Sequence, residues 1–430
     1  AAAPNTYDSQ TYHLSRVEYW VAHRTVQPYP VAIHRQVTYP PGAEYLMLHL
    51  RLLTGGDLFA AMVQWLAGLL CLLSITRLTG QLGGGRRAQL LAALVFATTP
   101  AVVLEASSTQ VDLVVAAWVA VATTLVLDGV GRRPVTPPGP VAVLLLGTAT
   151  GLVAVTKSPG LLVIAPLMVW WGCAWLRRGG TPLAARLAGT AASAVAVLAI
   201  TAACTGPYLW RTYQEFGHPL GPTYVRTSIS MQRHAPADVV VNVLRQAHTM
   251  LDTPVRPLRD ASADAVVWVS HRLGVDPQDP AITFDNATFP AVAWYPSEGR
   301  AAFPLQALLL FAGTVVVLVA PGRRLRADRR IYGSVIVLAA VAHVSTVKWS
   351  PWSNRLGLYI AVLAAPLAGL WLAAVLRRAG TPRPPATSPP ETSPPSTSPR
   401  PGARLLAATV VAALVAGAGA GWLSALYGWP

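Results

Sequence analysis

The sequence predicts an all-α protein that crosses a membrane several times. Hydrophobic residues make up 53% of its 430 residues and charged residues only 12%, whereas soluble domains carry about 25% charged residues. Apolar runs such as 101–127 and 307–320 are too long for ordinary core helices, since a bilayer span needs about 20 mostly apolar residues. Short arginine clusters separate these runs, as is typical of the cytoplasmic loops of polytopic proteins.

Ten apolar segments are candidate transmembrane helices. They lie at about 57–78, 88–106, 111–130, 140–156, 159–176, 184–207, 302–321, 331–347, 355–376 and 404–423. Alternate threading of these segments brings the arginine clusters to one side, which the positive-inside rule assigns to the cytoplasm. The clusters are Arg86 and Arg87, Arg132 and Arg133, Arg177 and Arg178, Arg323, Arg324, Arg326, Arg329 and Arg330, and Arg377 and Arg378. Topology therefore explains the net charge of +15, and nucleic acid is excluded as a partner.

The predicted domains follow from this topology. A first extracytoplasmic segment at 1–56 precedes a first bundle at 57–207, and a large extracytoplasmic loop at 208–301 precedes a second bundle at 302–376. Because structureless loops of such length are uncommon, we predict helices at about 237–250 and 261–273. Translocation of 1–56 requires an upstream transmembrane helix, which we expect before Ala1.

The C-terminal region begins with a proline-rich stretch at 377–403 that repeats Thr-Ser-Pro-Pro imperfectly. It has no apolar residues to bury, so it predicts an extended cytoplasmic linker before a last helix at 404–430. The three cysteines, Cys71, Cys173 and Cys204, lie in apolar runs and form no disulfide framework or CxxC motif.

Several charged residues fall at the outer ends of the predicted helices: Asp8, Asp112, Lys157, Lys348 and Arg355. Each has a structural interpretation, because aspartates cap helices or favour their first turn and lysines and arginines extend to lipid headgroups. Together they resemble a basic clamp for a phosphate beside a carboxylate base. Both interpretations are open at this point.

Histidines raise the possibility of a divalent metal. His13, His23 and His34 lie in the first outer segment, but their spacing matches no standard ligand motif. No cofactor is certain, and a divalent metal is carried forward as an open alternative.

Four motifs resemble the membrane-embedded C-type (GT-C) glycosyltransferases, which include the protein O-mannosyltransferases and the lipid A aminoarabinose transferases. The opening YDSQTYHLSRVEYW, with Pro40 and Pro41 leading into an amphipathic helix, resembles the family's first outer loop. ASSTQVDLVVAAW resembles its second acidic site, FGHPLGP the start of its large outer loop, and SPWSNRLGLYIAVLAAPLAGL its late arginine-bearing helix. The likeness covers nearly the whole chain, in order.

The resemblance implies roles for individual residues. Asp8 matches the catalytic carboxylate, Asp112 the supporting acid and Arg355 a ligand of the donor phosphate. Ser9 stands where the mannosyltransferases have glutamate, and Tyr39 stands where the aminoarabinose transferases have lysine. Substrate binding is further assigned to five residues besides Arg355: Lys348, Lys157, Arg35, His13 and Arg16, with Arg35 as the substitute for the lysine that Tyr39 replaces.

The reaction implied is transfer of a sugar from a polyprenyl-phosphate donor to a hydroxyl of a glycan, lipid or protein acceptor, in an inverting step at the extracytoplasmic face of the cell membrane. A lipid-linked donor fits this location, because nucleotide sugars are cytoplasmic and a polyprenyl tail stays in the bilayer. The phosphate leaves as a stable anion, so one carboxylate base is sufficient, unlike the pair of a glycosidase. The alternatives are a transporter or flippase using the same charges, and a catalytically silent scaffold.

Overall fold

The computed structural model describes residues 4, 6–131, 139–177, 180–295, 297, 299–320, 327–380 and 401–428. Within them the chain forms α-helices, a π-helix at Ser9–His13 and a 3-10 turn at Ser158–Gly160, with two isolated β-bridges and no extended strand. The predicted all-α class is confirmed. The α-helices are α1 (Leu14–His23), α2 (Arg35–Thr38), α3 (Gly42–Thr54), α4 (Met62–Gln81), α5 (Arg86–Ala97), α6 (Pro100–Glu105), α7 (Asp112–Gly131), α8 (Pro140–Thr156), α9 (Leu161–Leu176), α10 (Leu183–Phe216), α11 (Thr223–Ile229), α12 (Pro236–Met250), α13 (Arg256–Arg272), α14 (Pro304–Val319), α15 (Ala327–Thr346), α16 (Ser353–Leu356), α17 (Leu358–Gly380) and α18 (Pro401–Tyr427).

Six helices in the described residues are long and apolar enough to cross a bilayer: α4, α7, α9 with its preceding 3-10 turn, α10, α17 and α18. The chain is thus a multi-pass membrane protein. The count is lower than the ten predicted spans for identifiable reasons. The apolar helices α8 and α14 have only 17 and 16 residues, and α15 begins with the charged residues Asp328, Arg329 and Arg330.

The predicted span at 88–106 is divided into two helices. α5 ends at Ala97 and α6 begins at Pro100. Proline lacks a backbone N–H and cannot continue the preceding helix. The predicted single span at this position is therefore wrong.

α10 is longer than predicted, since it continues to Phe216 and not only to 207. Its last turns pack on the opening segment. The Tyr208 hydroxyl donates a hydrogen bond to the Thr38 carbonyl at 2.7 Å, and Arg211 Nη2 donates to the Tyr45 hydroxyl at 2.6 Å. These contacts fix the last turns of α10, which continue beyond its apolar part.

α7 lies at the centre of the bundle and contacts α4, α8, α9 and α17. Its buried small residues include Ala116, Ala117 and Ala120, and small side chains allow membrane helices to approach closely. A similar approach joins α17 to α5, where a Cβ on Gly369 would lie 2.6 Å from the Ala92 Cβ. The helices in this part of the bundle pack through close approach of their backbones, more than through contacts between large side chains.

Charged residues lie at both ends of the bundle. α7 begins at Asp112, and near its opposite end Asp128 Oδ2 pairs with Arg77 Nη2 at 2.5 Å. Arg329 Nε donates to the Leu82 carbonyl at that same opposite end, at 2.6 Å. Of the arginine clusters, Arg132, Arg133, Arg178, Arg323, Arg324 and Arg326 lie outside the described residues.

The large loop contains both helices that the sequence predicted, as α12 and α13. α12 is anchored by Arg245, whose Nη1 donates to the Pro277 carbonyl at 2.7 Å and whose Nη2 donates to the Ile282 carbonyl at 3.0 Å. Asn242 Nδ2 donates to the Val344 carbonyl at 2.6 Å. The loop is thereby attached to the end of α15.

The remaining predictions for the C-terminal region have mixed outcomes. Positions 381–400, most of the proposed linker, lie outside the described residues. The predicted last helix corresponds to α18. All three cysteines are free thiols. The domain boundaries at 56, 207, 301, 376 and 403 stay predictions.

Candidate active site

Asp8 immediately precedes the π-helix Ser9–His13, and its side chain makes no capping hydrogen bond with that helix. Single π-turns are rare and are often found at functional sites. Ser9 fixes this turn to a distant part of the chain, because the Thr109 hydroxyl donates to Ser9 Oγ at 2.5 Å. The interpretation of Asp8 as a helix cap is therefore wrong, and its carboxylate is available for other contacts.

The carboxylate of Asp8 binds an arginine from the other end of the sequence. Arg355 Nη2 lies 2.6 Å from Asp8 Oδ2, and the two side chains are only 12% and 11% exposed. Gln110 Nε2 donates to the same oxygen at 3.0 Å. The early carboxylate and the late arginine predicted for one site are thus in direct contact.

Arg355 is held by the short helix α16, which the large loop anchors. Asn354 Nδ2 donates to the carbonyls of Thr249 at 3.0 Å and Ala301 at 3.2 Å. The turn that leads into α16 is closed by a hydrogen bond from the Ser353 hydroxyl to the Ser350 carbonyl at 2.8 Å. The arginine is therefore positioned by α12 and by the chain that leads into α14.

The pKa of Asp8 reflects competing effects. Burial raises the pKa, but the charge of Arg355, the hydrogen bonds from Gln110 and Arg355 and the charge of His13 lower it, and the net pKa lies below the usual value. Asp8 is therefore ionised at neutral pH. While paired with Arg355 it is also a weak proton acceptor.

A second buried pair lies at the start of α7. Lys157 Nζ is 2.5 Å from Asp112 Oδ1, with side chains 24% and 2% exposed. Asp112 Oδ2 is buried and has no hydrogen-bond partner among the described residues. Lys157 can occupy this position because it leaves α8 in an extended conformation, at φ −160° and ψ 104°.

Tyr12 connects the two pairs. This buried tyrosine lies within electrostatic range of Asp8, Arg355 and Asp112, and burial followed by the charge of Asp8 raises its pKa well above the usual value. The Asp8–Arg355 and Asp112–Lys157 pairs therefore belong to one polar site. Arg35 adjoins it, with Cζ 5.9 Å from the centroid of the Tyr12 ring.

His13 and Arg16 belong to a network behind the site. His13 Nδ1 lies 2.9 Å and Arg16 Nη1 3.3 Å from Glu44 Oε1, and all three side chains are buried. Arg16 Nη2 also donates to the carbonyls of Arg35 at 2.6 Å and Tyr39 at 3.0 Å. The observed contacts of Arg16 are thus with the protein itself, and they brace the turn that carries Tyr39.

The remaining predicted cation, Lys348, is placed elsewhere. Burial lowers its pKa, and the carboxylates that oppose this shift are Asp279 and Asp285 of the large loop. Among the described contacts, no ion pair joins Lys348 to Asp8 or to Asp112. The structure brings together Asp8, Asp112, Lys157 and Arg355, while Lys348, between α15 and α16, lies against the large loop.

Three polar residues of the site were not singled out from the sequence. Gln110 lies in the quoted turn before Asp112, and it carries no charge to mark it. His343 and Tyr359 are hydrogen-bonded at 2.6 Å through Nδ1 and the hydroxyl, and they lie within electrostatic range of Lys157 and Asp112 respectively. A histidine inside an apolar segment is a recognisable signal of function, so His343 could have been found.

The approach of α3 to α8 brings the opening segment to Lys157. A Cβ added to Gly42 at the start of α3 would lie 2.8 Å from the Val155 carbonyl oxygen and 2.7 Å from Thr156 Oγ1. Glu44 follows two residues later, in the first turn of α3. Glycine at position 42 therefore permits the close approach of α3 to α8, which brings the Glu44 network near the Asp112–Lys157 pair.

No metal-binding cluster is found in the described part of the chain, where no group of three or more His, Cys, Asp or Glu residues could hold an ion. His13 is engaged with Glu44. His23 Nδ1 contacts the Tyr19 carbonyl at 3.0 Å, and His34 packs edge-on against Tyr224 with ring centroids 4.7 Å apart. The three histidines of the opening segment have separate environments.

Comparisons with known proteins found a family model that matches part of the chain and several similar solved structures. A family model described as dolichyl-phosphate-mannose-protein mannosyltransferase matches residues 55–205. The oligosaccharyltransferase of Archaeoglobus fulgidus, in a structure with zinc and sulfate, is 15% identical with a TM-score of 0.51, covering 94% of this chain and 46% of that one. This chain thus spans less than half of the archaeal protein.

Two structures of ArnT from Cupriavidus metallidurans are also similar. The apo structure is 16% identical with a TM-score of 0.39, covering 89% of this chain and 78% of that one. The structure bound to undecaprenyl phosphate is 14% identical with a TM-score of 0.41, covering 92% and 80%. A search of curated protein sequences found no significant match. The family model and the archaeal fold confirm the resemblance to the GT-C glycosyltransferases.

Proposed function

We propose that this membrane protein of the GT-C type transfers a sugar from a polyprenyl phosphate to an acceptor hydroxyl, with Asp8 as the general base. The observation that carries the proposal is the buried pair of Asp8 and Arg355, joined at 2.6 Å and bounded by Tyr12 and Gln110. A carboxylate and a guanidinium in one site can serve the two ends of such a reaction. One accepts a proton, and the other binds a phosphate.

The donor is a lipid phosphate in this proposal because of where the site lies. Asp112 begins the membrane helix α7 and Arg355 lies just before the membrane helix α17, so the charges stand at the ends of spans. A phosphate at this depth is reached by a headgroup whose polyprenyl tail remains in the bilayer, since each buried methylene contributes about 0.8 kcal/mol. The arginine-rich end of the bundle would be cytoplasmic, and the site would then face the extracytoplasmic side.

The reaction would be a single displacement that inverts the sugar. The acceptor oxygen attacks the anomeric carbon, its proton passes to Asp8, and the bond between the anomeric carbon and the phosphate oxygen breaks. The electron pair of that bond leaves with the polyprenyl phosphate, whose added charge Arg355 stabilises. General base catalysis of this kind contributes about 10² to 10⁴ in rate.

Donor binding would activate the base. In the free protein Arg355 holds the pKa of Asp8 below its usual range after burial has raised it. A donor phosphate that takes hydrogen bonds from Arg355 weakens this hold, so the pKa of Asp8 rises towards that of a better proton acceptor. The ion pair would thus keep Asp8 a weak base until the donor is bound.

The other predicted residues have supporting roles in this proposal. Lys157, which neutralises Asp112 at 2.5 Å, would approach the donor phosphate, and Asp112 would keep the lysine in place. Arg35 beside Tyr12 would contribute positive charge. Lys348, which packs against the large loop, stays a predicted donor ligand without a contact to the Asp8–Arg355 pair. His13 and Arg16 act as positioning residues through Glu44.

The test is transfer by the purified chain in proteoliposomes, with a panel of labelled polyprenyl-phosphate sugars and saccharide, lipid and peptide acceptors. Asp8→Asn should reduce transfer by about 10² to 10⁴ while the protein still inserts and binds donor lipid. The matched control is Asp128→Asn at the opposite end of α7. Asp128 also pairs with an arginine, Arg77, and accepts a hydrogen bond from a glutamine, Gln81.

Two results would contradict the proposal. Unaltered transfer by Asp8→Asn would reject Asp8 as the base. Passage of the donor lipid across the bilayer, without sugar transfer to any acceptor, would instead favour the transporter alternative.

A further inference from the structure

His343 is a buried histidine near the end of α15, and the reaction described above gives it no role. Its Nδ1 lies 2.6 Å from the hydroxyl of Tyr359, the second residue of α17, which is also buried. An ionisable group enclosed among apolar helices is costly to retain and is usually functional. The pair of His343 and Tyr359 therefore needs an explanation beyond packing.

The His343–Tyr359 pair stands beside the pair of Asp112 and Lys157. α15 contacts α9, which follows Lys157 after a short turn, and α17 contacts α7, which begins at Asp112. The imidazole of His343 is within electrostatic range of Lys157, and the hydroxyl of Tyr359 is within electrostatic range of Asp112. The four side chains thus form one polar cluster at the ends of α7, α8, α15 and α17.

Two polar atoms of this cluster have no hydrogen-bond partner among the described residues. They are Asp112 Oδ2 and His343 Nε2, and both atoms are buried. Lys157 neutralises Asp112 through the other carboxylate oxygen, Oδ1, at 2.5 Å. A buried carboxylate oxygen without a donor is costly to retain. Asp112 can therefore accept a hydrogen bond from a second group.

A second donor becomes important when Lys157 binds the donor phosphate. In the function proposed above, its ammonium group approaches that phosphate, and the contact with Asp112 weakens as it does so. The side chain of Asp112 is buried, whereas that of Lys157 is partly exposed. A buried carboxylate that loses its counter-ion is strongly destabilising, so donor binding requires another group to stabilise Asp112.

The hydroxyl of Tyr359 has the chemistry for this role. A phenolic hydroxyl both donates and accepts, and a neutral imidazole carries its proton on one ring nitrogen. With the proton of His343 on Nδ1, the imidazole donates to the Tyr359 oxygen, and the hydroxyl proton is free for Asp112 Oδ2. The same tautomer makes Nε2 an acceptor, which agrees with the positive charge of Lys157 nearby.

We propose that His343 and Tyr359 are positioning residues that stabilise Asp112 when Lys157 turns to the donor phosphate. His343 holds the Tyr359 hydroxyl, and this hydroxyl donates to Asp112 Oδ2 as the lysine contact weakens. Every proton stays on its own atom, so His343 and Tyr359 remain neutral throughout. The proposal rests on the transferase function argued above.

The first test is a double-mutant cycle in the full chain, measured by denaturant unfolding in mixed micelles. Tyr359→Phe should lower the ratio of folded to unfolded protein about tenfold more in Lys157→Met than in the unmodified protein, because hydrogen bonds to charged groups are the stronger ones. Tyr332→Phe is the matched control. Tyr332 also links α15 to α17 and is buried, but its hydroxyl donates to the backbone carbonyl of Leu363 at 2.8 Å, so its effect should be equal in both backgrounds.

The second test leaves Lys157 unchanged and measures the affinity of the full chain for a short-chain polyprenyl phosphate, by calorimetry in mixed micelles. Tyr359→Phe should weaken binding about tenfold, the value of one charge-assisted hydrogen bond. His343→Leu should do the same. His343→Asn, whose amide can still donate to Tyr359, should retain part of the affinity, and Tyr332→Phe should retain all of it.

Three outcomes would overturn the proposal. They are an equal effect of Tyr359→Phe in both backgrounds, an affinity for the lipid phosphate that Tyr359→Phe leaves unchanged, and equal losses in His343→Asn and His343→Leu, which would show that His343 acts by packing alone. Neither test requires sugar transfer. Coupling between Tyr359 and Lys157 in a protein that transfers no sugar would therefore reject the transferase function and retain the stabilisation of Asp112 by Tyr359.

Discussion

Asp8 Oδ2 and Arg355 Nη2 lie 2.6 Å apart although 347 positions separate the two residues in the chain. The contact joins the opening segment, which carries Asp8 before a π-helix, to the short helix α16 before the second bundle. Gln110 of the turn before α7 reaches the same carboxylate oxygen. Three distant parts of the sequence therefore converge on one oxygen atom.

Arg355→Lys should reduce transfer more than its unchanged charge suggests. Lysine is a point charge without the planar fork by which arginine binds carboxylates and phosphates, so both the contact with Asp8 and the stabilisation of the leaving phosphate should weaken. We expect a loss of about 10² in kcat/KM, comparable to loss of one transition-state donor. Steady-state kinetics with the donor varied measure it. Arg256→Lys is the control, and equal kinetics for Arg355→Lys and the unmodified protein would contradict the assignment.

The pH dependence of transfer should differ between the free and the donor-bound protein. The net pKa of Asp8 is lowered in the free protein. Its carboxylate is therefore ionised at every pH above the unfolded-state pKa of about 3.9, and in that range the ion pair with Arg355 stabilises the fold. That stabilisation is lost only as the pH falls through the still lower folded-state pKa. The acid limb of kcat/KM, which reports the free enzyme, should therefore lie below the acid limb of kcat. Coincident limbs in the two profiles would exclude activation of Asp8 by the donor.

Lys157→Met should destabilise the protein more than removal of both members of its pair. The single change leaves Asp112 as an uncompensated charge with a side chain only 2% exposed, and such a loss costs roughly 3 to 5 kcal/mol. Asp112→Asn combined with Lys157→Met should recover most of it. Denaturant unfolding in mixed micelles measures the difference. Additive effects of the two single changes would show that the residues do not act as a pair.

Glu44→Gln should destabilise the opening segment through Arg16. Burial raises the pKa of Glu44, but the charge of Arg16 and the hydrogen bond with His13 lower it to a net value below the usual one. Removal of this carboxylate leaves the Arg16 guanidinium buried without a counter-ion, at a cost of roughly 3 to 5 kcal/mol. Thermal unfolding in detergent and kcat measure the effect on stability and on the position of Asp8.

Glu18→Gln is the matched control for Glu44→Gln. Glu18 pairs with Arg51 at 2.6 Å, but its side chain is 48% exposed, and exposed pairs contribute about 0 to 1 kcal/mol. The two variants remove the same charge from neighbouring helices, α1 and α3. Equal destabilisation by both would mean that burial of Glu44 has no energetic consequence.

The helices were the most predictable feature of this chain. Apolar runs imposed by the bilayer predict helices near 57–78, 111–130 and 140–156, and α4, α7 and α8 lie there. Breaks within such runs were harder to predict. One run is divided at Pro100, where α5 ends and α6 begins. The contacts of Tyr208 and Arg211 with the opening segment stabilise the part of α10 that lies beyond the apolar stretch.

The site was predictable only in its charged members. Asp8, Asp112, Lys157 and Arg355 stand out because ionisable groups are scarce beside apolar helices. Gln110, Tyr12 and Tyr359 do not stand out, since uncharged polar residues are common at helix ends. Lys348 was expected beside Arg355, but the polypeptide between them turns through the Ser350–Ser353 hydrogen bond, and the Lys348 backbone N–H donates to the Ile229 carbonyl of the large loop.

The sequence by itself determined that this chain is a helical membrane protein and which of its charges lie at the ends of spans, because the bilayer penalises unpaired polar groups wherever they lie in the chain. Tertiary packing alone decided which charges pair. The contacts between Asp8 and Arg355 and between Asp112 and Lys157 depend on helix approaches of a few ångströms, such as that of Gly42 to Val155. Distances of this kind follow from the shapes of many side chains at once, and no local pattern in the sequence encodes them.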